Sequence, residues 1–214
     1  MGLLDNLLNK AEASIKSTVS AGARSAVNNA MHGAEKLGNN AINSISAKKK
    51  TFTFSKIPET LDELKALPEA DLKDPFGVVA LVILAMNNYN KDLDKTVEMM
   101  NFLKGPSPLM GQELSRMKDQ LTGKDYLMRS YFEGTNPENN YTPAQPYKIT
   151  VFDHPNSYDN EKDGGYVTLW VESSGADSER QVRLRKKQST GEFFLVEEYL
   201  TPGIRIPKEA DPWA

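Results

Sequence analysis

Every phenylalanine, tyrosine and tryptophan of this 214-residue chain lies beyond position 51. The eight Phe, eight Tyr and two Trp begin at Phe52, so the first fifty residues have no large apolar ring to bury and almost nothing bulky after Leu8. Ordering a residue costs ~1 to 2 kcal/mol of backbone entropy, which a leader made mostly of Ala, Ser, Asn and Gly cannot offset on its own. A single folded domain over residues 51–214 is therefore expected, behind a leader that needs a partner to order.

Charge divides at the same place. Residues 1–50 carry seven Lys and Arg against three Asp and Glu, ending in the triple lysine Lys48, Lys49, Lys50, while the remainder carries 19 against 26. The whole chain has a net charge of -3, so no global basic field draws it onto nucleic acid, and no nucleic-acid partner is expected. With no cysteine and only His32 and His154, thiolate chemistry, disulfides and cysteine-based metal centres are excluded, and neither a metal site nor a cofactor is expected.

Within the leader, apolar or small residues recur every eleven positions. Leu4, Ile15, Ala26 and Leu37 form one series, Leu8, Val19, Ala30 and Ala41 a second. At ~100° per residue, eleven residues make about three turns, so both series share one drifting helical face. Leu4, Leu8, Ile15, Val19 and Leu37 are the candidate residues for contact with a lipid surface or with a second copy; the competing expectation is a partly disordered tail. No signal-peptide core interrupts this reading, since Asp5, Asn6, Asn9 and Lys10 break the opening apolar run. The longest apolar stretch, Val78 to Met86, is nine residues against the ~20 that cross a bilayer. Nothing in the sequence reads as a membrane span. A cytoplasmic protein is expected, perhipheral at most to the inner face of a membrane.

From 51 to 140 the period is helical. Leu61, Leu64 and Leu67 follow Pro58 and stop at Pro68; Asp74-Pro75 caps an apolar helix through Met86; Leu93, Val97, Met100 and Leu103 run to Gly105-Pro106; a fourth helix spans about Leu109 to Leu121. Met86, Met99, Met100, Met110 and Met117 are taken as core filler. From 141 to 214 the period becomes two, giving strands at Tyr147–Phe152, Tyr166–Val171, Gln181–Lys186 and Glu192–Glu197. Helices first and strands second predict an α+β fold, about four helices followed by a four-stranded antiparallel meander sheet.

Chemistry is harder to assign. No nucleophile elbow, phosphate loop, dinucleotide fingerprint or H-E-x-x-H motif occurs. Asp159 to Gly164 opens like a calcium loop, but Trp170 stands where a bidentate Glu is required, and the segment reads as a hairpin loop. Carboxylate pairs such as Asp153 with Asp159, or Glu197 with Glu198, are too common to single out, and no catalytic residue is named. The stripe Arg183, Arg185, Lys187 could bind phosphate or a carboxylate ligand, but with Glu172, Glu192, Glu197 and Glu198 on neighbouring strands it reads as a solvated, cross-strand-paired face, and it has no interleaved aromatic residue to suit nucleic acid.

The connector Tyr126 to Tyr141 and the tail Arg205 to Trp213 combine Arg with aromatic groups. Their candidate ligand-binding residues are Arg129, Tyr131, Asn139, Asn140, Tyr141, Arg205 and Trp213, because Arg forks onto a carboxylate or phosphate while Tyr and Trp supply a flat wall. The competing expectation is that these rings plug the ends of the core and that Arg129 and Arg205 pair with acids such as Asp125 or Asp211.

Several segments carry a resemblance: Asn101 to Pro106, Gly123 to Tyr126, Arg129 to Phe132, Pro137 to Tyr141, Gly175 to Ser178, and Pro202 to Pro207 with Asp211 to Ala214. Over roughly 52–214 the chain resembles a bacterial protein family, many of its members from gut Firmicutes, that has no assigned activity. The resemblance implies a bacterial cytoplasmic setting and transfers no catalytic residue. The expectation is a non-enzymatic interaction or adaptor protein that binds a protein or peptide, with the leader as membrane-surface or homo-oligomer contact. The alternative is an enzyme or small anionic-ligand or peptide binder with its site between the helical half and the sheet.

Overall fold

A computed structural model describes residues 48–161 and 165–213. The leader stripe Leu4, Leu8, Ile15, Val19 and Leu37 lies outside the described residues, as do the last three positions of the calcium-loop-like string. Among the described residues no helix is long and apolar enough to cross a membrane.

In chain order the elements are β1 Lys49–Phe54, α1 Leu61–Lys65, α2 Pro75–Asn87, α3 Leu93–Lys104, α4 Gly111–Leu121, α5 Tyr126–Arg129, β2 Tyr147–Phe152, β3 Tyr166–Val171, β4 Arg180–Lys187 and β5 Glu192–Glu198. Short 3-10 turns sit at Pro68–Asp71, Pro137–Asn139 and Lys208–Ala210. The fold is α+β, with five α-helices among the described residues and one antiparallel sheet of order β1-β2-β3-β4-β5.

The sheet has five strands where four are expected. The extra one, β1, begins at Lys49 and so runs through the boundary drawn at residue 50. Its partner is nearly a hundred residues away, with Phe52 opposite Ile149 and Phe54 opposite Tyr147. Lys49, Lys50, Thr51 and Thr53 are exposed on this edge strand, and lysines there discourage pairing with a foreign strand.

Helix α2 organises everything else. The Asp74 side chain accepts the Phe76 N–H, Pro75 needs no donor at the first turn, and all residues from Phe76 to Met86 are buried. A helix apolar on every side must be enclosed on every side. It packs on β1, β2, β3 and β5 and is flanked by α3, α5 and the Pro68–Asp71 turn. The inward residues of the sheet, Ile149, Val151, Val167, Leu169, Val171, Val182, Leu184 and Leu195, complete this core.

Smaller expectations shift. The first helix shortens to Leu61–Lys65 and a 3-10 turn takes over at Pro68; the fourth starts at Gly111, where Glu113 accepts the Met110 N–H at 2.9 Å. Met86, Met99, Met100 and Met117 are buried, but Met110, ahead of that helix, is 67% exposed.

Candidate functional site

The connector and tail residues singled out for ligand binding all have local partners or none. Tyr131 is buried and its hydroxyl donates to the Leu200 carbonyl. Tyr141 is buried too, stacked on Tyr126 with ring centroids 5.9 Å apart, and donates to the Arg205 carbonyl at 2.8 Å. Burial pushes both phenols up from their ordinary range. Gly175 makes the second contact possible, since a Cβ there would lie 2.2 Å from the Tyr141 hydroxyl oxygen. Arg129 pairs with Asp125 at 3.3 Å, and Arg205 pairs with Asp177 rather than Asp211. Asn139 and Asn136 cap one another through reciprocal bonds of 2.8 and 2.9 Å, and Asn140 donates to Glu209 at 2.7 Å. Asn140, Tyr141 and Arg205 thus meet where the tail is fastened; Arg129 and Trp213 stand apart, Trp213 being 92% exposed.

The carboxylate pairs separate as well. Glu197 points to the uncovered face, where it meets Arg183 at 3.1 Å and the Tyr199 hydroxyl at 2.8 Å. Glu198 turns inward, accepts the Leu200 N–H at 3.0 Å and lies 3.4 Å from Arg116. Burial pushes its carboxyl above the usual range, against the pull of that N–H and of Arg116 and Lys104. Asp153 is buried and accepts the Lys48 N–H at 2.6 Å; the Tyr158 phenol beside it is pushed up to about 12 by burial and by that carboxylate. His154 sets its edge against Trp170, with centroids 4.4 Å apart, and shares a 2.9 Å contact with Glu179. Glu161, from the calcium-like loop, lies 3.6 Å from Lys186, and no metal-holding group of three acids or histidines occurs among the described residues.

A different constellation forms on the sheet face away from α2. The register places Tyr166 of β3 and Phe194 of β5 directly opposite Arg185 of β4, one on each side. An arginine between two aromatic rings results, on a face that α2 does not cover. The third wall is the loop after α3. Gly105 has φ +55°, and a Cβ there would come within 2.3 Å of the Phe194 ring, so only glycine lets that ring lie against the chain. Pro106 and Ser107 complete the wall, and the enclosed groove measures about 290 Å³.

Its cations are unequally committed. Lys104 is buried, binds Glu113 at 2.8 Å and donates to the Val196 carbonyl at 3.4 Å. That carbonyl belongs to the residue skipped by the register shift between Arg183 and Leu184, so Lys104 supports the bulge that turns Phe194 and Glu197 onto the same face. Lys104 and the Met110 N–H together overcome the burial that acts to raise Glu113, and hold that carboxyl below its usual range. Arg183 is taken by Glu197, and Lys186 lies over the Phe193 ring at 5.4 Å. Arg185 and Lys187 are exposed and have no carboxylate within ion-pair distance among the described residues. Arg183 fits the paired-face expectation. Arg185 and Lys187 depart from it, and the aromatic groups missing along the strand are supplied from across it.

Two further hollows border the sheet. One of about 300 Å³ is lined by Ser130, Ser173, Ser174, Thr150, Glu133 and Glu172, whose hydroxyls mostly bond one another, and Tyr131 borders it. The other, about 480 Å³, lies between Trp170 and Tyr199, and its Arg180 is used by the Pro202 and Ser178 carbonyls.

A family model described as a domain of unknown function, DUF6935, matches residues 56–208. The chain belongs to that family. No curated protein and no solved structure matches it. The DUF6935 match contains all five helices, β2 to β5 and every residue of the Arg185 groove, whereas β1 precedes it.

Proposed function

We propose that this DUF6935 chain is a non-enzymatic, cytoplasmic interaction protein that seats an acidic, aromatic segment of a protein partner in the Tyr166–Arg185–Phe194 groove. One observation carries the reading: an arginine with no carboxylate partner among the described residues, flanked by two rings, on the uncovered sheet face. Arg, Tyr and Trp are the residue types that dominate binding energy at interfaces, because a flat ring buries area with little entropy loss and a guanidinium forks onto carboxylate. A volume of about 290 Å³ sits at the small end of ligand cavities and suits one large side chain. Lys187 extends the positive rim, so the favoured segment pairs a ring with one or two carboxylates.

The test is an NMR titration of the full chain with an acetylated, amidated pentapeptide holding one Trp and two acidic residues. Shifts should centre on Tyr166, Arg185 and Phe194. Exchanging the acids for Asn and Gln, or Arg185→Ala in the protein, should weaken binding about tenfold, the effect of losing one charge-assisted hydrogen bond. Equal binding of the neutral peptide, or shifts confined to other surfaces, would overturn the reading.

A further inference from the structure

We infer that a second copy of this chain supplies the segment, inserting its Trp213 with Asp211 into the Tyr166–Arg185–Phe194 groove of the first. The inference rests on the groove being a peptide anchor and goes further by naming the occupant. Trp213 is 92% exposed, far beyond any other large apolar side chain described, so its indole is accessible to a second molecule. The tail around it is acidic, with Glu209 and Asp211 against Lys208, and the groove is basic, with Arg185 and Lys187 outside ion-pair distance of any carboxylate among the described residues, though Glu192 stands opposite Lys187 in the register.

The local geometry matches the groove's two demands. Asp211 Oδ1 accepts the Trp213 N–H at 2.9 Å, which folds the tail so that the carboxylate and the indole are presented together. A preformed turn loses less entropy on docking than a free strand. The ring then fills the space between Tyr166 and Phe194, and Asp211 meets Arg185 or Lys187.

The chain's own tail is fastened away from its own groove. The tail is fastened at the end of the sheet where β4 begins, through the Arg205 N–H to the Gly175 carbonyl at 2.9 Å, Tyr141 to Arg205, and Asn140 to Glu209. The groove lies at the end where β4 finishes. Four residues from Glu209 to Trp213 extend at most about 14 Å, whereas β4 from Arg180 to Arg185 covers about 17 Å. The tail is thus fastened away from its own groove, and the groove of a second copy is the one it is free to enter.

Sedimentation velocity of the full chain over a wide concentration range tests this. The wild type should gain mass with concentration, while Trp213→Ala stays at the 23.8 kDa monomer and Arg185→Ala needs about tenfold higher concentration to gain mass. Mixing the two variants should restore association, limited to a pair, because one retains the groove and the other the tail. In Trp170→Phe, which leaves Trp213 as the single tryptophan, emission should shift to shorter wavelength as concentration rises. Association that neither substitution weakens, or no complementation on mixing, overturns the inference. A titration with acetylated, amidated Glu-Ala-Asp-Pro-Trp separates the two claims. If this peptide binds and Arg185→Ala weakens it about tenfold while the chain remains monomeric, the second-copy inference fails and the groove reading stands. If neither peptide binding nor association occurs, both fail.

Discussion

The two faces of the sheet come from the same strands and differ in what their side chains have left to do. On the face against α2, Val167, Leu169, Val182 and Leu184 are fully buried, and their neighbours satisfy them. One residue along the same strands, Tyr166, Trp170, Arg183 and Arg185 face the side that α2 leaves open. A strand's period of two thus divides stability from recognition: inward positions fix the fold, and outward positions are free to specify a partner. Aliphatic groups suit the first task because they need only be buried. Arg and aromatic groups suit the second because they offer directional or flat contacts to something not yet present.

The largest effect that would sharpen this contrast is a hole in the covered face. Leu81→Ala, at the middle of α2, should destabilise by about 2 to 5 kcal/mol in urea unfolding, since its side chain is fully buried among residues that cannot collapse around it. Next comes Gly105→Ala, which acts on both faces at once. It puts a Cβ into the Phe194 ring at a positive φ and should cost about 1 to 3 kcal/mol while also weakening the peptide titration. If Gly105→Ala altered neither stability nor binding, the packing of Phe194 on the α3 terminus would be refuted. Asp74→Ala removes the cap of α2 and should cost about 0.5 to 2 kcal/mol, with no change in peptide affinity once the protein is folded.

The smallest effect is a pH dependence on the covered side. Glu198 has a folded carboxyl raised by burial above its unfolded value of 4.5. Its contribution is therefore full below that value and is lost as pH rises through the folded value, opposite in sign to a salt-bridged acid. Glu198→Gln keeps an acceptor for the Leu200 N–H and gives up only a half-exposed Arg116 contact, of the kind that contributes ~0 to 1 kcal/mol. Thermal melts from about pH 4 to about pH 7 should show the wild type losing ground to the variant as pH rises. A wild type that instead gains on the variant would mean that Arg116 and Lys104 dominate that site.

How much of this was legible in the sequence follows the same division. Helix α2 was readable because an unbroken apolar run between Asp74-Pro75 and Asn87 has one physical solution. Strands β2 to β5 were readable because their alternation is strong. Strand β1 was not, since four of its six residues are lysine or threonine on an edge and its pairing with β2 depends on residues nearly a hundred positions away. The groove was not readable either. Tyr166, Arg185, Phe194 and Gly105 come from four separate segments, and only the register, with the bulge at Val196, sets them side by side. The residues that did stand out, Tyr131 and Tyr141, share the Arg-plus-aromatic composition of a site. What distinguishes them is the backbone carbonyl that each hydroxyl reaches, at Leu200 and Arg205, and that is a property of the fold rather than of the composition.

The central claim is that the uncovered face recognises a partner without holding the fold together, and Arg185→Ala tests it in one pair of readings on one sample. The side chain is exposed and has no ion-pair partner among the described residues, so the urea midpoint should move by no more than about 0.5 kcal/mol in stability, while the acidic, tryptophan-containing peptide should bind about tenfold more weakly. A variant that loses stability yet binds the peptide as the wild type does would contradict the account.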